Sequence, residues 1–442
     1  MMNLSFGLVL AGLALVCVLL NARPACAGEA KAWSDEPIQA RIQKHRRAEV
    51  TLAIKDAAGQ ALAHQAVTVR QVRHKFLFGS NAFVINTSDQ SETQRKYQER
   101  FAALLNYATL PFYWGAFEGT EGQPQTERLR LMAQWCAAKN IRAKGHPLCW
   151  HEVVPKWLPQ KTLEEVQALQ AARVTRDVKG FAGLIDNWDV ANEFCVTPNH
   201  QPETNPISKL CRKLGQVELL KLVFNAARQA NPKAVLLLND YDTSEKYEAL
   251  LKSCLDAGLP IDAIGIQSHM HGGYWGAQKV WETCERFAKF GKPLFFTETT
   301  ITSGEVRKNI NWQGENKDWE GTPDGEKRQM EQVSEFYRIL FSHPAVQGIT
   351  WWDFSDLHAW LNAPSGLVRK DMSPKPAYES LMQLIQKDWW TGSLNLTTDE
   401  QGAVKFNGFL GRYAVESAGA SGEFDVLDAG RAAAAAKLGV AK

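Results

Sequence analysis

The sequence predicts an α/β protein, a (β/α)8 TIM barrel with a small accessory β module formed by its N- and C-terminal segments. Three observations lead there. Short apolar strands alternate with longer amphipathic helices through eight pairs spread over about 310 residues, the pattern of β/α units around a parallel sheet. Segments of alternating apolar and polar residues flank that region at 48–72 and 389–413, the period of half-buried strands. No glycine-rich phosphate loop follows the first strand, and open doubly wound sheets usually have fewer strands.

Residues 4–20 are almost wholly apolar and lead through Arg23-Pro24 to Ala25-Cys26-Ala27, a small-residue cleavage pattern. We read 1–27 as a signal peptide that sends the protein to the periplasm or outside the cell; an uncleaved anchor is the alternative, because no Lys or Arg precedes the run. No other run is long enough to span a membrane. Residues 45–73 alternate around the turn signal Asp56 to Gly59, as in a hairpin, and form the N-terminal β segment of the accessory module. The barrel occupies 74–387, with strands expected at 76–82, 107–112, 142–146, 185–191, 235–239, 263–267, 293–297 and 346–351. Helices fit between them at 91–105, 127–139, 162–179, 216–229, 245–257, 276–290, 325–342 and 376–386. A C-terminal β segment follows at 388–416 and completes the module with the N-terminal one, and the Ala-rich stretch 417–442 reads as a disordered tail or a frayed helix.

Composition narrows the function. The 442 residues are 45% hydrophobic, enough for a sizeable core, and the net charge of +2 is spread in interspersed charges that leave no footprint for nucleic acid. The 15 Trp residues are more informative, since aromatic faces in a cleft suit the apolar faces of sugar rings, although core packing accounts for more than half of them. Without the leader, six cysteines remain: Cys136, Cys149, Cys195, Cys211, Cys254 and Cys284. Export permits bridges, and Cys195 with Cys211, which flank a long loop, is the pair to expect first. No CxxC or Cys/His spacing points to zinc, so neither a metal nor a cofactor is expected. The chain reads as a monomer whose partner is a polysaccharide or oligosaccharide.

The barrel is organised around DNWDVANE, Asp186 to Glu193, which crowds carboxylates and carboxamides into what should be a buried strand. An unpaired buried carboxylate costs several kcal/mol or takes up a proton, so Asp189, Asn192 and Glu193 need partners or a cleft. The same anomaly recurs at other strand ends. Strand two leads to Trp114 and Glu118, and strand three to His146, Trp150 and His151. Strand five ends in Asn239, Asp240 and Tyr241, and strand six in Gln267 and His269. Glu298 follows strand seven, and Trp352, Asp353 and Trp360 follow strand eight. In a barrel these ends converge on one face, where active sites are built. Singly, each side chain has an ordinary packing role open to it. Agreement among seven strands is hard to obtain by accident.

Glu193 and Glu298 suit glycosidic bond cleavage, one protonating the leaving oxygen and the other attacking the anomeric carbon. Asn192 is placed to donate to a sugar 2-hydroxyl, and His269 to hydrogen-bond Glu298. A structural salt bridge is the competing role for either Glu.

The motifs WDVANE (Trp188 to Glu193), AKGHPLCWH (Ala143 to His151), LLLNDYD (Leu236 to Asp242), IGIQSHMH (Ile264 to His271), FFTE (Phe295 to Glu298) and GITWWDFSD (Gly348 to Asp356) together resemble those of glycoside hydrolase family 10, in that family's order. The resemblance runs from about His74 to Leu384. It implies a retaining endo-β-1,4-xylanase with Glu193 as acid/base and Glu298 as nucleophile. It further implies that His146, Trp150, Asn192, Gln267, His269 and Trp352 hold the reacting sugar, with Trp360 as a ring platform and Trp114 and Asn239 among the binding residues.

Three departures stand out. Where the family reads close to Glu-Asn-x-Met-Lys-Trp, this chain has Thr109-Leu-Pro-Phe-Tyr-Trp114; Val153 replaces a common Gln, and Thr300 replaces an Asp that partners the His. The acid pair is kept while the non-reducing side is rebuilt with less polar residues, so a preference shifted from plain xylan is expected. Two further readings stay open: another retaining barrel β-glycanase of cellulase or mannanase type, and a carbohydrate-binding protein that has lost catalysis. A metal-dependent hydrolase is weaker, because His146, His151, His269 and His271 lack helix-borne ligand spacing.

Overall fold

The computed structural model describes residues 31–314 and 316–440; the leader expected at 1–27, with Cys17 and Cys26, lies outside them. Among the described residues eight parallel strands form the barrel: Leu77–Asn81, Tyr107–Pro111, Arg142–His146, Ile185–Asn192, Val235–Asp240, Ala263–Ile266, Leu294–Ile301 and Val346–Trp351. Each pairs with the next, and the last pairs back with the first, Gly348 opposite Leu77, so the sheet closes. Strands buried on both faces need near-continuous apolar side chains, which Leu236 to Leu238 and Leu294 to Phe296 supply; the polar exceptions cluster at the C-terminal ends.

Two strands bend there. The register of the fourth shifts between Asp189 and Ala191 against the fifth, and that of the seventh shifts between Phe296 and Thr299 against the eighth. Such irregularities re-aim side chains next to active sites. Here they fall immediately before Glu193 and around Glu298.

The flanking segments build a two-sheet sandwich with its own core. One sheet runs Ala403–Phe409, Arg47–Lys55, Gly430–Lys437; the other runs Leu394–Thr397, Ala66–His74, Gly411–Ser417, Ala420–Val426, ending on Gly439–Val440. Between them are buried Val50, Leu52, Val69, Tyr413, Val415, Phe424 and Leu438. A helix that periodicity did not reveal, Asp35–Arg46, precedes the first sandwich strand and buries Ile38 and Ile42 on the barrel. Its last residue is the joint: buried Arg46 donates to the carbonyls of Phe341 and His343 at 2.6 Å and Val346 at 2.7 Å.

Three expectations fail. The hairpin expected over 45–73 does not form, because Arg47–Lys55 and Ala66–His74 lie in different sheets and each pairs with C-terminal strands. The Ala-rich stretch is neither a tail nor a helix: Gly430–Lys437 is a strand paired in parallel with Arg47–Lys55, Ala432 opposite Val50. Alanine prefers helix only weakly, and here Ala432, Ala434 and Ala436 face inward while Ala433 and Ala435 are exposed, so the ladder and the packing decide. The Cys195–Cys211 bridge is absent as well. All six cysteines are free and buried, filling the barrel's hydrophobic core. No helix among the described residues is long and apolar enough to cross a membrane.

Ala436 is 4% exposed, so Ala436→Asp buries an unpaired charge and is expected to remove about 3 kcal/mol of stability in urea denaturation. A loss below about 1 kcal/mol would show that this strand does not close the sandwich core.

Candidate active site

The floor of the site explains the crowded fourth strand. Asp189, wholly buried, accepts from Lys144 Nζ at 2.5 Å and His146 Nδ1 at 2.7 Å. Burial opposes its ionisation, but Lys144 and His146 outweigh that and hold the carboxyl below its ordinary range. Trp188 turns the other way and fills the space beside Gly145, where any Cβ would stand 2.1 Å from the indole. The strand therefore buries its charge against one neighbour and its largest side chain against a glycine.

Above this floor, Glu193 leaves the strand in the left-handed region with φ 56°, a costly conformation for a residue with a side chain. Its N–H donates to the Asn239 carbonyl at 2.8 Å, which fixes the turn. The carboxyl then receives Trp150 Nε1 at 3.0 Å on Oε2 and Gln267 Nε2 at 3.1 Å on Oε1. Glu298 is held from the other side. Asn239 Nδ2 donates to its Oε1 at 2.7 Å, and His269 Nε2 lies 3.1 Å from its Oε2. Asn239 Nδ2 also donates to Asn192 Oδ1 at 2.7 Å, and Gln267 Nε2 to the same oxygen at 3.2 Å. An unbroken run of amides thus connects the two carboxyl groups. With Asn192 Oδ1 doubly occupied, its Nδ2 is the atom left to donate into the cleft.

The two acids hold protons differently. Burial, reinforced by the charge of Glu298, pushes the Glu193 carboxyl up to about 8, against the pull of Gln267 and Trp150. Burial also raises Glu298, but His146 and Lys144 favour its anion and Asn239 donates to it. The surroundings therefore favour the proton on Glu193 and the anion on Glu298. His269, driven by burial down to about 3, is neutral, and its Nδ1 faces Thr300 Oγ1 at 3.2 Å.

Both acids line one cleft of about 410 Å³. Its lining includes Asn81, Phe83, Val84, Tyr97, Tyr113, Ala116 and Val153, together with Trp352, Asp353, Phe354, Leu357, His358 and Trp360. His146, Trp150, Asn192 and His269 line it as well, as the strand ends imply. Asn239 and Gln267 stand behind the acids, holding them rather than lining the cleft.

Trp114 is not brought to the cleft. It is 5% exposed, donates to Glu118 Oε2 at 3.1 Å, meets Trp157 edge-on and lies under the Arg173 guanidinium. The short helix Trp114–Phe117 turns it into the helical layer, and Tyr113 takes the cleft wall instead. Glu118 and Asp240 are structural in the same way: Glu118 also meets Arg176, and Asp240 accepts from the backbone N–H of Cys195 and Asp242. Tyr241 is half exposed and does not line the cleft. The wall from the first strand's exit, Asn81 to Val84, was missed; its polar-aromatic ending directly after the strand was the available signal.

A model described as "Glycosyl hydrolase family 10" matches residues 70–384. Endo-1,4-beta-xylanase 1 of Arabidopsis thaliana is 25% identical over 395 residues, 86% of this chain and 37% of that protein. Beta-1,4-xylanase of Dictyoglomus thermophilum is 30% identical over 234 residues, 51% of this chain and 64% of its own. The chain thus spans less than two thirds of the length of either relative. Among solved structures, native xylanase 10B from Thermotoga maritima shares the fold with a TM-score of 0.60 and 23% identity, covering 71% of this chain and 96% of that one.

Glu298→Gln removes the like charge that raises Glu193. Carboxyl NMR titration is therefore expected to place the Glu193 midpoint below about 8 in the variant, yet still above that of an exposed Glu because burial persists. An unchanged midpoint would show that the two groups do not interact.

Proposed function

The chain belongs to glycosyl hydrolase family 10, and on that basis we propose that it is a retaining glycoside hydrolase cleaving β-1,4-linked xylan or a related plant β-glycan by double displacement. The observation that carries the chemistry is the facing pair of acids with unequal hold on one proton. Glu193 gives its proton to the glycosidic oxygen while Glu298 attacks the anomeric carbon, forming a glycosyl-enzyme. Glu193, now a base, takes a proton from water, and the resulting hydroxide displaces Glu298. Asn192 Nδ2 donates to the 2-hydroxyl of the reacting sugar, while Trp352 and Trp360 offer ring faces to it.

The wall of Phe83, Val84, Tyr113, Ala116 and Val153 supports a shifted substrate preference. A site built on apolar side chains gains little from extra hydroxyls and loses little from substituents it has room for. We expect decorated xylo-oligosaccharides or mixed-linkage glucan to be cut at rates comparable to plain xylan or faster. Selective activity on undecorated xylan in a product analysis across these glycans would contradict this.

Glu298→Ala is expected to lower kcat at least ~10³-fold while sugar binding, followed by calorimetry, persists. The kcat/KM profile should fall as pH rises through about 8, when free Glu193 loses its proton, and fall on the acid side as Glu298 becomes protonated. Turnover retained in Glu298→Ala would rule out Glu298 as the nucleophile, and sugar binding without turnover in the parent would favour the carbohydrate-binding reading.

A further inference from the structure

The loop after the fourth strand completes, with the loop after the third, a residue set that the hydrolytic reading does not use. It brings His200 against His151, with ring centroids 4.3 Å apart, and His200 Nε2 lies 3.2 Å from Glu152 Oε1. We propose that His151, Glu152 and His200 bind a divalent transition-metal ion of the Zn2+ type, and that an ion held there captures Glu193 and switches hydrolysis off. The inhibitory half rests on the reading of Glu193 as the acid; the binding half does not.

His151 is 2% exposed, and its Nδ1 lies 2.8 Å from Thr197 Oγ1. That hydroxyl has one hydrogen, which it gives to the Glu193 carbonyl at 3.0 Å, since a carbonyl can only accept. Thr197 Oγ1 must therefore accept from His151, which places the imidazole proton on Nδ1. His151 Nε2 is then a bare lone pair, and no hydrogen bond is made to it among the described residues. A His whose second nitrogen donates to a fixed oxygen is the usual arrangement behind a metal ligand. The Asn205 side chain steadies the same residue by donating to its carbonyl at 2.6 Å.

One donor atom from each of His151, Glu152 and His200 lies within 4.8 Å of the others. Tetrahedral zinc at about 2.0–2.1 Å from each donor sets them roughly 3.3 Å apart, so the site must tighten. Glu152 and His200 reach solvent, which provides both that freedom and an entry path. Two imidazoles with a carboxylate select a zinc-like ion over Ca2+ or Mg2+, which favour all-oxygen shells.

A fourth ligand lies within reach. Glu193 Oε2 is 4.0 Å from His151 Nε2, beyond the roughly 3.3 Å between donors on tetrahedral zinc, so closing the site on an ion must also draw this carboxyl toward it. Coordination releases the Glu193 proton to solvent and leaves no acid for the leaving oxygen.

Titrating the full-length, metal-free protein with ZnCl2 is expected to show one tightly held ion by calorimetry, and CoCl2 is expected to give the intense visible absorption of a tetrahedral site. Saturating Zn2+ should remove more than nine-tenths of the hydrolysis, and a chelator should restore it. His200→Ala and Glu152→Gln should weaken Zn2+ binding at least tenfold, keep the metal-free rate and escape inhibition. Zn2+ bound as tightly by His200→Ala as by the parent, or no tetrahedral Co2+ signal, overturns the site. Binding that depends on His200 yet leaves hydrolysis intact overturns the switch. A protein that hydrolyses no glycan but still binds Zn2+ through His200 supports the site and refutes the family-based activity instead.

Discussion

The active face depends on one buried amide. Asn239 holds both acids: its backbone oxygen fixes Glu193 in a left-handed turn, and its side-chain nitrogen divides two hydrogens between Asn192 and Glu298. Its own Oδ1 is satisfied by Thr297 at 2.6 Å. The next strand makes room for it, because a Cβ on Gly265 would stand 2.4 Å from that oxygen. Unpaired, such a buried amide would cost roughly 1–3 kcal/mol per group. Fully paired, it sets the direction of two carboxyls from strands distant in the chain.

Beneath the amide lies a charge arrangement that is stable only as a set. Lys144 and Asp189 are both wholly buried, and removing one partner of such a pair typically costs about 3–5 kcal/mol. The set does more than satisfy itself. It places positive charge under Glu298 and not under Glu193, so two acids in the same low-dielectric cleft differ in proton affinity. The register shifts in the fourth and seventh strands complete the effect by turning each acid toward the cleft. Backbone irregularity, buried charge and the amide act on the same two side chains.

The barrel was legible because its signals are local: each strand is a short apolar run, each helix a longer amphipathic one. The cleft was legible because polar residues that burial should exclude accumulated at strand ends, and the fold brings Glu193, Glu298, His146, Trp150 and His269 from those ends into one lining. Direction was not legible. A one-residue difference decides whether Tyr113 or Trp114 meets the cleft, and a four-residue helix rather than sequence pattern decides it. Strand pairing at long range was equally hidden: the alanines of 430–437 become a strand only because Arg47–Lys55 offers an edge. The closeness of His151 and His200 belongs to the same class, since a loop rather than a motif brings them together.

The departures from the family pattern fit one physical trend. Thr300 stands where the resemblance leads one to expect an Asp, and its hydroxyl still reaches His269 Nδ1. A neutral partner cannot stabilise an imidazolium in a buried site, so His269 remains a neutral donor to Glu298 and brings no charge of its own. Across the cleft, the loss of a Glu and a Lys before Trp114 removes one charge of each sign, and Tyr113 substitutes a ring that packs edge-on to His146. Both changes leave formal charge concentrated on the two acids and the pair beneath them. A cleft organised in this way presents shape and ring faces in its lining, and confines strong electrostatics to its acid pair.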